Sequence, residues 1–223
     1  MKDLTLIIPA KNESESLPNV LKELEKFDVN IKVILRKEDI LTIKSIKHFN
    51  CEIIYQSNYG YGDAIIQGIL DTNTKYFCIF NADGSFNPTE LNGMLNKTKT
   101  SDLDFNFASR YQRDAGSEDD TIITFIGNYI FTTIGKIFFS LPITDILYTF
   151  VLGKTESAKK INLTKHDFCF CVELPIKAKK LNLSMTSHSS WERKRIAGKK
   201  KVNEFRDGLK ILIYMIKLFF KDS

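Results

Sequence analysis

The chain has 223 residues, of which 43% are hydrophobic and 26% charged, and its formal net charge is +5. This composition excludes wholesale disorder and permits one sizeable core, so a single domain over residues 1–223 is expected. The four cysteines form no CxxC pair and have no neighbouring histidines. That usage argues against a zinc site and favours a reduced, cytoplasmic protein.

Short runs typical of strands alternate with helix-like stretches through the first half of the chain. The strand-like runs are LTLIIP, IKVIL, EIIY, YFCIF and DFNFA; the helix-like stretches include 15–27, 63–70 and 88–97. This order predicts βαβ units and a mostly parallel sheet, whose ligand site lies at the carboxyl ends of the strands. Pro9, Tyr55 and Asn81 follow such ends, so we expect them on one rim.

The alternation loosens after Ser109. An acidic segment, DAGSEDD at 114–120, precedes an apolar helix predicted at 121–140. Glycines and a lysine interrupt this apolar run, which favours a buried or interfacial helix over a membrane span. A strand-like DILYTFVLGK follows, and the last predicted helix begins at about Glu204.

The positive charge is concentrated at the C-terminal end. Residues 186–223 hold ten Lys/Arg against four Asp/Glu, whereas the preceding residues are close to neutral. Such a segment is expected to meet an anionic partner. The terminal helix, with an apolar run interspersed with lysines, either packs on the domain or lies in a membrane interface. An anionic membrane surface is thus a candidate partner, and the location is cytoplasmic or peripheral on the inner face of the membrane. No nucleic-acid motif is recognised, so nucleic acid is not expected.

The stretch KYFCIFNADGSFNP, residues 75–88, joins a buried strand to a polar loop. Asn81 and Asp83 offer the oxygen ligands that hard cations such as Mg²⁺ and Mn²⁺ prefer. Asn, Asp and Gly also favour ordinary turns, because their side chains or backbones suit turn geometry. The residues alone leave a turn and a metal site both open.

Six motifs, in order, resemble the family-2 glycosyltransferases with a GT-A fold, in particular the dolichol-phosphate mannose synthase branch. They are IIPAKNESESL, NYGYGDAIIQGI, NADGSFNP, ASRY, TDILYTF and RIAGKKKVNEFRDGLKIL. The resemblance implies an α/β, Rossmann-like fold with a mostly parallel central sheet and a C-terminal helical acceptor region. Residues 1–110 would form the nucleotide-sugar-binding half and residues 111–223 the acceptor-binding half.

The resemblance also implies the reaction and its participants. It predicts an inverting glycosyltransferase that uses a GDP- or UDP-sugar donor with Mg²⁺ or Mn²⁺. The favoured acceptor is a polyprenyl phosphate, and the alternative is a hydroxyl of a glycan in cell-surface polysaccharide synthesis. A catalytically weak sugar-nucleotide-binding subunit is a further alternative.

The resemblance assigns roles to individual residues. The expected donor-binding residues are Pro9, Ala10, Asn12, Glu13, Gly60, Tyr61, Gly62, Asn81, Ala82, Asp83 and Ser85. The expected metal ligands are Asn81 and Asp83. The expected catalytic residues are Asp83, Arg110, Asp145, Arg195 and Lys201.

Several of these positions have plainer interpretations. Asn12 and Ser14 would also suit a helix cap, and Gly60 and Gly62 a simple turn. Arg110 would also suit a surface ion pair. The stretch ERKRIAGKKK at 192–201, called the basic segment below, would also suit a solvated surface loop. Asp145 is as well suited to capping or a salt bridge as to catalysis.

The sequence departs from the family pattern at several places, among them the start of the helix at DDTIITFIGN, where an arginine often found in the family is not evident. Asn81 replaces the first aspartate of an Asp-x-Asp motif, which removes one negative charge from the expected metal site. Arg36 and Lys37 stand where paired aspartates are usual, with Glu38 and Asp39 following; this leaves the donor base open. The family's Ser-Gly-Phe appears as residues 148–150, Tyr-Thr-Phe, and Lys200 replaces a serine in the basic segment.

The acceptor decides which further groups are needed. A polyprenyl phosphate is already an anion, so it needs positioning and charge stabilisation but no general base. A sugar hydroxyl needs a carboxylate to take its proton, and Asp145 or Asp114 are the candidates.

Overall fold

The computed structural model describes residues 1–198 and 201–220. The strands are β1 Leu4–Pro9, β2 Asn30–Leu35, β3 Glu52–Tyr55, β4 Tyr76–Ile79, β5 Phe105–Ser109, β6 Gly116–Ser117, β7 Val151–Lys154, β8 Met185–Ser189 and β9 Trp191–Glu192. The helices are α1 Leu17–Leu24, α2 Ile40–Ile46, α3 Tyr61–Asp71, α4 Glu90–Thr100, α5 Ile122–Phe139, α6 Thr155–Lys160, α7 Phe170–Lys180 and α8 Glu204–Phe220.

A seven-stranded sheet with the order β3-β2-β1-β4-β7-β5-β8 forms the centre of the molecule. All pairings are parallel except those of β7, which runs antiparallel between β4 and β5. The mostly parallel α/β fold predicted from the sequence is confirmed. The reversed direction of β7 was not predicted, and only the last four residues of the strand-like run DILYTFVLGK form a strand.

The sheet is covered on both faces. One apolar cluster includes Ile7, Phe77 and Phe105, and the other includes Leu6, Cys78 and Phe150. Neighbouring residues of one strand therefore enter opposite clusters, as the alternation of side chains along a strand requires. β1 and β4 are buried on both faces, which explains why their sequences are apolar apart from Thr5.

The chain order creates a crevice at one place on the rim. β2 and β3 lie on one side of β1, whereas β4 lies on its other side. In open α/β sheets, ligands bind outside the carboxyl ends of the strands where the order reverses in this way. The loops that follow Pro9 and Ile79 are therefore the expected walls of a ligand site.

The helices α5 and α8 pack beside each other on one face of the fold. α5 begins after Thr121, which forms a capping box with Thr124. Its described bounds agree with the helix predicted at 121–140, and α8 begins at Glu204, as predicted. Each helix buries a narrow stripe of residues and leaves most of its surface exposed.

Candidate functional site

The NADG segment forms a turn that leaves part of one carboxylate available. Asp83 Oδ1 accepts hydrogen bonds from the Ser85 backbone N–H (3.0 Å) and the Ser85 hydroxyl (2.7 Å). Gly84 has a φ of +83° and lies against Ile196, where a Cβ would come within 2.5 Å of the isoleucine Cδ1. Asp83 Oδ2 faces Arg195, whose Nη1 is 3.7 Å away. The two interpretations of this segment are therefore compatible.

Asn81 lies beside Tyr61 at the same rim. The Tyr61 hydroxyl is 3.4 Å from Asn81 Oδ1 and 2.6 Å from the Thr149 hydroxyl. Burial raises the pKa of Tyr61 well above its usual range, so the phenol stays protonated. Tyr61 also stacks on Phe168. Tyr61 thus lies at this rim, and its role in donor binding stays a prediction.

The donor set suits a divalent cation only in part. Asp83 Oδ2 and Asn81 Oδ1 supply one carboxylate oxygen and one amide oxygen. Among the described residues, no group of three or more His, Cys, Asp or Glu side chains could hold a metal ion. Mg²⁺ and Mn²⁺ sites in nucleotide enzymes commonly use one or two carboxylates and complete their coordination with phosphate oxygens. Asn81 and Asp83 fit such a shared site, with donor phosphates completing it.

The opening loop places Glu13 close to the basic segment. Its Oε2 accepts a hydrogen bond from the Ser16 hydroxyl (2.8 Å), and its Oε1 lies 3.2 Å from Lys201 Nζ. Ser16 occupies the N-cap position of α1. The capping role considered for Asn12 and Ser14 is therefore wrong.

The other residues of the opening and NADG loops differ in what they expose. Ala10 and Ala82 are buried in the core, so only their backbones are available to a ligand. Asn12 has a φ of +55°, and its backbone N–H donates to Asp39 Oδ2 at 2.7 Å. Pro9, the last residue of β1, is half-buried at the rim.

Gly60 and Gly62 have a packing role. A Cβ at Gly60 would lie 2.0 Å from the His166 carbonyl oxygen, and one at Gly62 would lie 2.1 Å from that of Lys165. Asp63 accepts hydrogen bonds from Asn58. The two glycines thus allow the 165–167 backbone to approach α3.

The loop after β2 presents arginine where acidic residues were expected. Arg36 pairs with Glu38 and stacks over the Tyr59 ring at 4.0 Å. Asp39 caps α2 by accepting from the Thr42 backbone N–H, and it also holds Asn12. Asp39 is therefore an acidic residue close to the opening loop, although it follows the positions where the family has its paired aspartates.

The basic segment covers the NADG turn. The backbone N–H groups of Arg193 and Ile196 donate to the carbonyls of Ser85 and Asp83, both at 2.8 Å. Gly198 has a φ of +83° and lies beside Glu13. Arg195 and Lys201 consequently face the rim, whereas Lys200, which replaces the family's serine, lies outside the described residues.

Arg110 lies at the centre of a buried charge network. Its Nε and Nη2 donate to Asp145 at 2.8 and 3.1 Å, and its Nη1 donates to Glu192 at 3.1 Å. Asp145 is fully buried, which excludes it as an open general base. Burial would lower the pKa of Arg110, but the charges of Asp145 and Glu192 outweigh it and raise the pKa. Asp114, the other proposed base, is exposed and pairs with Arg113.

A cavity of about 320 Å³ opens beside Arg110. Its polar lining includes Arg110, Ser117 and Asp120, and its apolar lining includes Ile122 and Phe125 of α5. Asp120 also accepts hydrogen bonds from the hydroxyls of Tyr111 and Thr124. This cavity brings cationic, acidic and apolar groups together next to the rim.

Three acidic residues of this region were missed by sequence reasoning: Asp119, Asp120 and Glu192. Arg195 donates to Asp119 through Nε (3.2 Å) and Nη2 (2.5 Å). The available signal was the charge complementarity between the acidic segment at 114–120 and the basic segment that contains ERKR. The short β6 and β9 strands pair within these segments and hold them together.

A family model described as glycosyl transferase family 2 matches residues 5–161. The chain belongs to this family. The resemblance drawn from the six motifs is thus confirmed at the level of the family. The matched region contains the opening loop, the NADG turn, Arg110 and Asp145. The dolichol-phosphate mannose synthase branch is not distinguished by this match.

Curated relatives of this chain align over a shorter region. Uncharacterized glycosyltransferases of Mycobacterium tuberculosis and Mycobacterium bovis are 28% identical to it over 88 residues. The alignment covers 40% of this chain and 40% of each relative. The matched region therefore spans less than half the length of these relatives.

Solved structures resemble nearly the whole family-2 chain. Mannosyl-3-phosphoglycerate synthase from Rubrobacter xylanophilus has a TM-score of 0.73 and 13% identity, covering 98% of this chain and 74% of that one. Glucosyl-3-phosphoglycerate synthase from Mycobacterium tuberculosis, in complex with Mn²⁺, UDP and phosphoglyceric acid, has a TM-score of 0.72 and 11% identity, covering 97% and 78%. At this identity the similarity shows the fold, and the predicted GT-A architecture is confirmed.

Proposed function

We propose that this glycosyltransferase moves a sugar from a nucleotide diphosphate sugar to a polyprenyl phosphate, with inversion at the anomeric carbon. The observation that carries the proposal is the cavity beside Arg110, which joins a cationic end to the apolar start of α5. A phosphate at one end and a prenyl chain at the other would match this lining.

The donor would lie at the crevice between β1 and β4. Asn81 and Asp83 would hold Mg²⁺ or Mn²⁺ together with the donor phosphates, and the cation would neutralise charge on the diphosphate. The similar Mycobacterium tuberculosis structure in complex with Mn²⁺ and UDP supports this donor class. Pro9, Glu13 and Ser85 line the same rim and would limit the space for the nucleotide.

The basic segment would stabilise the leaving diphosphate. Arg195 and Lys201 face Asp83 and Glu13, so both cations already lie at the rim. Cations placed where negative charge develops lower the barrier, since they need little rearrangement during the reaction. The acceptor phosphate would then attack the anomeric carbon in line, and no protein base would be required.

A second candidate function follows from the acids around Arg110. Asp145 and Glu192 occupy donors on all three guanidinium nitrogens, and Asp120 lines the cavity. A cavity whose arginine is already paired with carboxylates suits a neutral hydroxyl acceptor better than a phosphate. In that reaction Asp120 would be the general base, because it is the carboxylate that lines the cavity.

A transfer assay with paired acceptors tests the proposal. UDP- and GDP-sugars with Mn²⁺ are first screened for binding by the rise in melting temperature. The bound donor is then offered with a short polyprenyl phosphate, with the matching polyprenol, and with phosphoglyceric acid. Transfer to the polyprenyl phosphate alone is expected. Transfer only to the polyprenol or the soluble acid would overturn the lipid-phosphate acceptor, and no nucleotide binding would indicate a non-catalytic subunit.

The variant Asp120→Asn separates the two acceptor chemistries. A phosphate acceptor needs no base, so turnover should change less than about tenfold; a hydroxyl acceptor should lose about 10²–10⁴-fold. Tyr111→Phe is the matched control, because it removes one hydrogen bond to Asp120 and leaves the carboxylate in place. A large loss in Asp120→Asn alone would favour the hydroxyl reaction.

A further inference from the structure

The helices α5 and α8 expose an unusual number of large apolar side chains. On α5 these are Ile122, Ile123, Phe125, Ile126, Tyr129, Ile130, Ile137 and Phe138. On α8 they are Phe205, Leu209, Ile213, Ile216, Phe219 and Phe220. Isolated exposed apolar residues are normal, but large contiguous patches mark binding surfaces.

The two helices present these residues on one continuous surface. Phe219 of α8 contacts the rings of Phe138 and Phe139 of α5. Nearer the start of α8, a Cβ at Gly208 would lie 4.0 Å from Phe131. Contacts at both levels show that the helices run side by side. Each also buries a stripe in the fold, so their opposite faces are exposed together.

Basic side chains accompany the apolar residues. Arg206 and Lys210 are exposed on α8, where both lie within 4 Å of the buried Asp207 carboxylate, and Lys217 lies in its last turn. The acidic residues of α8, Glu204 and Asp207, are in its first turn, and α5 contains none. A surface that combines apolar side chains with lysine and arginine is complementary to a bilayer with anionic headgroups.

The geometry points to the α5–α8 face as a membrane-docking surface that lies in the headgroup region of an anionic bilayer. Among the described helices, α5 alone is long and apolar enough to cross a membrane, with a mean hydropathy of 1.5 over 18 residues. Its inner side, however, is bonded to the fold: Asn128 and Thr132 accept hydrogen bonds from the backbone N–H groups of Leu147 and Ile146. A helix fixed along one side and apolar along the other is suited to lie on the bilayer.

Docking in this way would place the cavity at the membrane surface. Ile122 and Phe125 belong both to the exposed face of α5 and to the cavity lining. A lipid headgroup could then reach Arg110 while its chain stayed in the bilayer. This consequence rests on the proposed function, whereas docking itself does not.

Vesicle co-sedimentation tests the surface directly. The full chain is mixed with vesicles of phosphatidylcholine alone or with added phosphatidylglycerol, at low and high salt. Binding should be stronger to the anionic vesicles and partly resistant to salt, because salt screens charges but not apolar burial. A full chain that stays in the supernatant with anionic vesicles at low salt would overturn the proposal.

Paired variants locate the contact. Ile130→Glu and Ile213→Glu change exposed residues on the two helices and should each abolish the salt-resistant binding. Leu41→Glu is the control, because Leu41 is at least as exposed but lies on helix α2, and this variant should bind like the parent. Lys210→Gln should weaken binding to anionic vesicles by about fivefold, because this is the change in affinity expected from losing one basic residue near the membrane surface. Unchanged binding of both glutamate variants would exclude this face.

Two further measurements separate the possible failures. Light scattering without lipid shows whether the α5–α8 face instead joins two copies of the chain. If the parent is a dimer and Ile130→Glu is a monomer, the partner of this face is a second copy and not a membrane. Nucleotide-induced melting shifts should be the same in the parent and in Ile130→Glu. If the parent binds no donor nucleotide, the proposed function is contradicted. If the parent binds a donor but no vesicles, only the docking is contradicted.

Discussion

Arg195 is held by Asp119 through two nitrogens, and its third nitrogen points toward Asp83. The Nε and Nη2 atoms donate to Asp119 at 3.2 and 2.5 Å, and Nη1 is 3.7 Å from Asp83 Oδ2. The hydrogen bonds from Arg195 to Asp119 raise the pKa of the guanidinium. Asp119 therefore orients Arg195 and leaves one nitrogen directed at the proposed diphosphate position.

Asp119→Asn should lower kcat by about tenfold and leave the donor KM nearly unchanged. The change weakens a charged hydrogen bond that positions Arg195, and such a loss affects the transition state more than donor binding. Steady-state kinetics with the identified donor measure both constants. Adding Asp119→Asn to Arg195→Ala should lower kcat little further, because both substitutions act through the same guanidinium.

Asp114→Asn is the matched control for this prediction. Asp114 lies in the same acidic segment but is exposed and pairs only with Arg113 among the described residues. Trp191, the sole tryptophan, bonds to Glu118 and reports by fluorescence whether the two segments remain paired. An unchanged kcat with a tenfold shift in donor affinity would mean that Asp119 competes with the donor instead of orienting Arg195.

Asp83→Ala should abolish metal-dependent donor binding, whereas Asn81→Asp should retain or strengthen it. Asp83 supplies the carboxylate of the proposed shared site, and aspartate at position 81 would add a second one. Melting temperatures measured with nucleotide, with and without Mn²⁺, give the comparison. If Asp83→Ala binds nucleotide and Mn²⁺ as well as the parent does, the NADG segment is only a turn.

Asp145→Asn should lower the free energy of unfolding by about 3–5 kcal/mol. The change removes the charge of a fully buried carboxylate and leaves Arg110 incompletely paired in the interior. Urea denaturation measures the loss. Asp102→Asn is the control, because Asp102 pairs with Lys154 at the surface and should cost at most about 1 kcal/mol. Equal effects of the two substitutions would contradict a structural role for the buried pair.

Glu173→Gln should destabilise the protein by about 1–3 kcal/mol near neutral pH. The buried carboxylate accepts hydrogen bonds from Thr164, the Lys165 backbone, Lys177 and Tyr214. Burial by itself raises the pKa of Glu173, but these bonds outweigh it and hold the pKa below its ordinary value of 4.5.

The sign of that shift defines the pH dependence. The stabilisation is fully present above pH 4.5, where the unfolded chain is also ionised. It is lost as the pH falls through the lower folded pKa, because the unfolded chain takes up the proton first. The free energies of unfolding of the parent and of Glu173→Gln, measured by urea titration, should therefore converge in acid. Glu156→Gln is the control, because Glu156 is exposed. A constant difference at all pH values would contradict this account.

The sequence alone determined the fold class, the ligand rim and the two long helices of the second half. Strand and helix periodicity are local properties, and the parallel order follows from their alternation. The positions of Pro9 and Asn81 on one rim follow from the same rule, since parallel strands end at one edge of the sheet. The apolar run of α5 likewise predicted a helix without any knowledge of its neighbours.

The tertiary structure decided which side chains meet across the loops. Arg195 and Asp119 are 76 residues apart, and Arg110 and Glu192 are 82 apart. No local propensity encodes such pairs, because they depend on where the chain returns after β7 and β8. The same holds for Gly60, whose close neighbour His166 belongs to a distant segment. Long-range packing also decided that one face of α5 and α8 stays exposed, because the apolar sequence of either helix allowed both burial and an interfacial position.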